Sequence, residues 1–290
     1  MTTDTSAAAD PGLPRALWTL FEPVHAVTYF APEAAAAFEG AGLRGFWRGY
    51  FAGRAAPFGA VGAPQVTAAF FSFAPSMVAR ALPSVWELTD PEGALEARRT
   101  GARDALRRLL AGLDAEVERA AALLAPYATG LDSAGRVLAG ANAALPVPGA
   151  PLDLLWHSTT LLREHRGDGH VAALVAAGLD GCETLALRAG TDLPRTELQP
   201  YRGWTHEEWD AAAGRLTDRG LLTGDGRATP AGRDLLAGVE RATERAAARA
   251  WPGLDPEAAA ELRSTLAPLA RAAARTLRFP NPIGVPSPQD

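Results

Sequence analysis

Apolar positions recur along this chain at helical spacing, and the gaps between the runs carry helix punctuation. Asp90-Pro91 offers an N-cap and a proline at the first helical position, followed by the helix formers Ala94-Leu95-Glu96-Ala97. Thr229-Pro230 does the same for a helix through Arg249, and Asp255-Pro256-Glu257 opens a last helix to about Arg275. Ala31-Pro32-Glu33 and Ala74-Pro75-Ser76 open two more. β-branched alternation is scarce, so long strands are not expected. The pattern predicts a mainly α chain.

One segment has a sharper signature. Thr205-His206-Glu207-Glu208 is a capping box, with Thr at the cap and Glu three residues later. The helix it starts carries Trp209, Ala212 and Leu216 and stops at Arg219-Gly220. Leu221-Leu222-Thr223, the turn Gly224-Asp225-Gly226 and Arg227-Ala228 then predict a short hairpin. Three helical stretches, about 152–165, 169–177 and 180–189, come before. Helices, a recognition helix, a small β-wing and a long following helix make a winged helix-turn-helix order. Over residues 150–250 it resembles the MarR-type arrangement, in which Asp218-Arg219-Gly220-Leu221-Leu222 leads through Asp225-Gly226-Arg227 into the long helix.

The first half echoes the second. Ala41-Gly42-Leu43-Arg44-Gly45 matches Ala177-Gly178-Leu179-Asp180-Gly181, and Leu17-Trp18 and Leu155-Trp156 precede them by 23 and 21 residues. The helix starts at Asp90 and Thr229 follow by 49 and 52 residues. We read a duplicated winged helix-turn-helix, its first wing degraded to Ser84-Val85-Trp86-Glu87-Leu88 and its second keeping a small β-wing. The domains follow: a disordered tail at 1–12, a degenerate half with an aromatic pocket at 13–129, and a linker at 130–151. The winged helix-turn-helix domain is 152–252, a C-terminal helix 253–275 and a Pro-rich extended tail 276–290. One such chain mimics a two-fold dimer, so the expected state is a monomeric pseudo-dimer or a homodimer, with a cleft between halves.

Longer motifs span nearly the whole chain. Glu22-Pro23-Val24-His25 through Ala31-Pro32, Gly42-Leu43-Arg44-Gly45-Phe46-Trp47 through Pro57, Arg163-Glu164-His165-Arg166-Gly167-Asp168-Gly169-His170 and Phe279-Pro280-Asn281-Pro282 are the recognisable ones. In these the chain resembles an actinobacterial family of helix-turn-helix proteins. The resemblance implies a fold and a lineage, and it lends no catalytic residues.

Charge changes what that fold is expected to do. The 290 residues carry 28 cationic and 33 acidic side chains, a formal net charge of −5, and every cation is Arg. A protein that coats nucleic acid concentrates positive charge, and this one does not. Glu207, Glu208 and Asp210 open the recognition helix, where DNA phosphates would be met. The cations left to a DNA-binding reading are Arg215, Arg219 and Arg227, the last opposed by Asp225. Dipole compensation accounts for acids at a helix start. Even so, nucleic acid is possible as a partner and disfavoured by charge.

Chemistry is expected in the first half instead, because nine of the ten Phe lie between Phe21 and Phe73. On one helix Glu22 and His25 are three apart and His25 and Tyr29 four apart, so they share a face. Trp47, Arg48, Tyr50 and Arg54 follow. An apolar, aromatic recess with a few polar groups is the usual form of a small-molecule site. Arg48 or Arg54 would hold an acidic group, and His25 would act as general acid or base oriented by Glu22. If so, His25, Tyr29 and Arg48 line one cavity. The plainer alternative makes these core residues bonded to backbone or carboxylate.

No motif names a cofactor. Haem on His25 has no attachment motif behind it, and His157 and His165 lie about 12 Å apart along a helix, too far to share one metal ion. Asp168 is expected to cap the helix after the Gly167-Gly169 turn. The single cysteine, Cys182, excludes an internal disulfide and reads as a buried thiol. The acidic start lacks a signal peptide's basic region, and no run of about 18 apolar residues occurs. The expected location is the cytoplasm, with no membrane. Three functions stay open: a binder of a small aromatic or acidic ligand with DNA binding weakened or lost, a ligand-responsive DNA-binding regulator, and an enzyme on the winged-helix scaffold using His25.

Overall fold

The computed structural model describes residues 12–287, so all but Gly12 of the expected 1–12 tail lies outside the described residues. The first half contains α1 (Leu13–Phe30), α2 (Pro32–Gly40), α3 (Phe46–Ala55), α4 (Ala63–Phe70), α5 (Pro75–Ala79), α6 (Pro91–Leu109) and α7 (Asp114–Thr129). The second contains α8 (Val137–Ala143), α9 (Pro151–Ala176), α10 (Gly181–Ala189), α11 (Arg195–Leu198), α12 (His206–Asp218), α13 (Pro230–Ala248) and α14 (Pro256–Ala273). The chain is mainly α, and its helices start where the sequence signals them. Asp90, Asp180, Thr205, Thr229 and Asp255 each accept a bond from the backbone N–H three residues on, satisfying a donor that the helix itself leaves orphaned.

Three expectations are corrected. The stretches 152–165 and 169–177 are one 26-residue helix, α9, because Gly167 and Gly169 lie in its continuous ladder rather than in a turn. Asp168 therefore caps no following helix; it accepts the Ala139 N–H (2.9 Å) in the first turn of α8, so that the expected 130–151 linker carries a helix docked on α9. The β-wing shrinks to a single antiparallel bridge, Leu222 to Ala228, and no strand or sheet forms among the described residues. The flanks are too short for a ladder, and the Ala228 N–H donates to the Gly190 carbonyl at the end of α10 (3.0 Å). The first-half counterpart, Ser84–Glu87, is a 3₁₀ turn.

Helix α9 is the axis of the molecule. It packs against α1, α6, α7, α8 and α13, and its middle is buried on nearly every side, including His157, Thr160, Glu164, His165 and Asp168. One apolar core gathers Leu17, Trp18 and Phe21 of α1 with Leu155 of α9 and Leu262 and Leu266 of α14. A second is the Phe-rich one, with Phe38, Phe51, Phe70 and Phe73; a third surrounds Leu187, Trp209 and Leu216. The second and third meet where Gly181 approaches Phe71: a Cβ there would stand 2.2 Å from the Phe71 carbonyl oxygen. Only glycine permits that contact.

Candidate functional site

An aromatic recess opens between the two halves. A cavity of about 490 Å³ is walled on one side by Tyr29, Phe46, Trp47, Tyr50 and Phe73, and on the other by Tyr201 and Arg202. The chain closes the third side: Leu277, Arg278, Asn281, Pro282 and Ile283 line it. The Pro-rich tail is thus extended yet docked. Asn281 is buried and bonds the backbone of Val285 both ways (2.9 and 3.1 Å), and Val285 enters the core shared by α1 and α14. Pro282 gives its carbonyl to Arg188 of α10 (3.1 Å).

Behind the aromatic wall lies a buried ion network. Glu164 of α9 accepts from Arg163 (2.7 Å) and from Arg54 of α3 (3.3 Å), and Arg163 also reaches Glu22 of α1 (3.4 Å). Trp18 Nε1 donates to Glu22 (2.9 Å), and Arg54 donates to the Tyr50 hydroxyl (3.1 Å) while stacking over Phe70. Burial pushes the Glu164 carboxyl up, but Arg163 and Arg54 outweigh it and bring the group to about 2. It is ionised at neutral pH and holds two cations in place.

His25 is part of the same wall and does not reach the cavity. Its Nδ1 lies 2.9 Å from Thr160 Oγ1 and its Nε2 3.0 Å from the Tyr29 hydroxyl. The Thr160 hydroxyl donates to the Trp156 carbonyl (2.9 Å), so it accepts from His25 Nδ1–H, and Nε2 accepts the Tyr29 proton. Burial, then Arg163, hold His25 well below its ordinary pKa, and burial raises Tyr29. The pair is neutral, with its proton on Tyr29. Both ring nitrogens are engaged, which leaves His25 no position for haem iron.

The expected residues therefore divide. Tyr29, Trp47 and Tyr50 line the cavity together. Glu22 and Arg54 line an adjoining chamber of about 240 Å³ with Tyr50, and Glu22 bonds Trp18 and Arg163, not His25. Arg48 is exposed and turns back to its own helix start, the Arg44 carbonyl (3.4 Å). The single pocket of His25, Tyr29 and Arg48, on which both the ligand and the enzyme reading of these residues rest, is not formed, because helix α3 presents Trp47 and Tyr50 inward and Arg48 outward; the cavity present is a different one, of Tyr29 with Trp47, Tyr50 and Phe73. Arg163, Arg202, Tyr201 and Arg278 were not expected in the wall. Arg163 stood in a conspicuous polar motif; the others come from loops whose tertiary position no local pattern encodes.

The cations expected of a recognition helix are engaged as well. Arg215 pairs with Asp180 (2.6 Å) and Glu183 (2.7 Å) of the α10 capping box; Arg219 donates to the Gly178 carbonyl (2.9 Å) and reaches Glu183 (3.4 Å). Arg227 pairs with Asp225 (3.1 Å). Glu207, Asp210 and Asp218 stay exposed on α12. The start of α12 is tied to the cavity. Ala74 donates to the Arg202 carbonyl (2.8 Å) and Trp204 Nε1 to the Ser72 carbonyl (3.0 Å), just before the Thr205 cap.

Cys182 is buried, and burial pushes its thiol up to about 12. No helix among the described residues is by itself long and apolar enough to cross a membrane.

A family model described as a helix-turn-helix family matches residues 14–280. No curated protein and no solved structure matches the chain.

Proposed function

The chain belongs to that helix-turn-helix family, and from this premise we propose a binder of a small aromatic or acidic molecule, held in the cleft between halves, with DNA binding weakened. The observation that carries it is the cavity of about 490 Å³ walled by Trp47, Tyr50 and Phe73, a size and lining in the range of ligand pockets. The site works in the cytoplasm as a monomeric pseudo-dimer or a homodimer. The duplication behind that reading is supported by matching local structure. Leu43 donates to Phe38 (2.9 Å) and Leu179 to Leu174 (3.2 Å) after left-handed Gly42 and Gly178, the six-to-one bond that also ends α12, where Leu221 donates to Leu216 (2.8 Å) after Gly220. Helices α6 and α13 are each 19 residues, with Pro first and a cap bond to Gly93 or Gly232. The order of α10, α12, the bridge at Leu222 and α13 supports a MarR-like winged arrangement.

A thermal-shift screen of aromatic acids, amines and neutral compounds tests the binding. A ligand at a hundredfold excess over its Kd adds about 2.7 kcal/mol, which in a chain of this size raises the melting temperature by roughly 4–5 °C. Trp47→Ala should abolish the shift. A flat response across the panel would remove this reading.

A second reading, a ligand-responsive DNA-binding regulator, has the family and the tie between Arg202 and the α12 cap in its favour. Its charges oppose it, since Arg215, Arg219 and Arg227 are all paired with acids. Fluorescence anisotropy on duplex DNA between 50 and 200 mM salt should give a log K against log salt slope near zero, where ten phosphate contacts would give about −9. Tight binding with a steep slope would establish the regulator instead.

A further inference from the structure

We infer that the chamber of about 240 Å³ beside the aromatic cavity is the seat of the ligand's acidic group, and that this group is a single carboxylate. The inference rests on the ligand-binding reading above and narrows it to planar aromatic monocarboxylates.

Five arginines line this chamber: Arg54, Arg163, Arg166, Arg188 and Arg202. Four have counter-ions. Arg54 and Arg163 share Glu164 and Glu22, Arg166 pairs with Glu240 (2.6 Å) and Glu244 (2.8 Å), and Arg188 pairs with Asp192 (3.3 Å). Arg202 has none. Its guanidinium lies 4.7 Å over the Phe73 ring, one terminal nitrogen donates to the Tyr201 carbonyl (3.2 Å), and its buried Nε has no partner among the described residues. Burial holds this guanidinium below its ordinary pKa, and Arg188, Arg54 and Arg163 push the same way against Tyr50.

A second orphan stands in the same wall. The Thr184 hydroxyl of α10 is buried without a partner among the described residues. Arg166 Nε, in the same wall, is a third without a partner among the described residues. Buried donors are ordinarily satisfied, so three in one chamber mark a missing acceptor. An oxyanion supplies acceptors to such donors and offsets the charge of Arg202, the one arginine of the five without a carboxylate partner. A planar carboxylate meets a guanidinium edge with paired bonds. A phosphate dianion would bring a second negative charge beside Glu22, which lines the chamber. Arg202, Tyr50 and Phe73 belong to both cavities, so a ring on Trp47 and an acid on Arg202 are within one ligand's reach.

Calorimetric titration with 2-naphthoate, 2-naphthamide and 2-naphthyl phosphate tests this on the full chain. The carboxylate should bind about ten- to a hundredfold more tightly than the neutral amide, the range of one charge-assisted contact. The phosphate should not exceed the carboxylate. Arg202→Gln should erase the preference for the acid over the amide; Thr184→Val should weaken the carboxylate by severalfold. Because Arg202 has no counter-ion, Arg202→Gln should melt no lower than the unmodified protein, so a loss of acid binding is not a loss of fold. Equal binding of acid and amide, or a preference that survives Arg202→Gln, overturns this inference and leaves the aromatic cavity standing. A phosphate that binds best overturns the single-charge argument. If none of the three binds, the cavity reading fails and this one with it.

Discussion

Acidification from pH 7 to pH 5 should remove most of the folding free energy of this protein. Burial holds His157, His165 and His170 at about 4, against 6.5 for a free imidazole, and keeps His25 well below 6.5. In each the depressed value means that the folded state prefers the neutral ring. Stability is complete above about pH 6.5 and is lost as the pH falls toward 4, because the unfolded chain takes the protons first. At pH 5 each of the three costs about 2 kcal/mol, and His25 adds in the same direction. Asp168 opposes them: burial raises it to about 6, so its protonation over the same interval returns about 1 kcal/mol. The net loss of about 5 kcal/mol or more is comparable to the whole stability of an ordinary domain. The cause is visible in the packing, since His157 Nε2 and His165 Nδ1 are buried without a hydrogen-bond partner among the described residues. Melting followed by circular dichroism at pH 7, 6 and 5 measures it. A midpoint that does not move across that interval would refute the argument, and His165→Gln should reduce the slope by about one proton.

Glu164→Gln is the other large effect. Both Arg54 and Arg163 lean on this carboxylate, and Arg163 keeps only its longer contact to Glu22 when it is gone. Stranding a buried cation costs about 3–5 kcal/mol, far beyond an ordinary surface change. Urea denaturation should show that loss, while Arg48→Gln, on the exposed side of α3, should stay within about 0.5 kcal/mol. The Glu164 contribution is present above its unfolded value of about 4.5 and lost only as the pH falls toward about 2. That window lies below about pH 4.5, so the difference between Glu164→Gln and the unmodified protein should be constant from pH 6.5 to 8. A deficit under about 1 kcal/mol would show that the network is dispensable.

Local signals in the sequence carried the helices well. Asp90-Pro91, Thr205 to Glu208 and Thr229-Pro230 each mark a start through chemistry confined to four residues, and all three caps are formed. The supposed break at Gly167-Gly169 failed because glycine only weakens a helix, and neighbours on several sides outweigh that cost. Side-chain direction on the first helix was half legible. Helical spacing brought His25 to Tyr29, but whether the pair faces a cavity or a neighbouring helix depends on α9, more than a hundred residues away. Trp47 and Tyr50 were found by composition, since aromatic clusters bury themselves together. Arg202 was not, because its importance lies in having no counter-ion, and that is a fact about everything around it.

The docking of α1 against α14, with Val285 in the same core, also constrains how the chain is made. On the ribosome Leu17, Trp18 and Phe21 emerge first, and their partners Leu262 and Leu266 emerge more than two hundred residues later. At about 5–20 residues per second, that apolar face waits tens of seconds or less for its partner, a long exposure for a nascent chain. Contacts so distant in sequence also slow the final closure. Helix α1 therefore stays without its apolar partner until α14 has been made, and the aromatic cavity, walled also by residues 277–283, closes only after both.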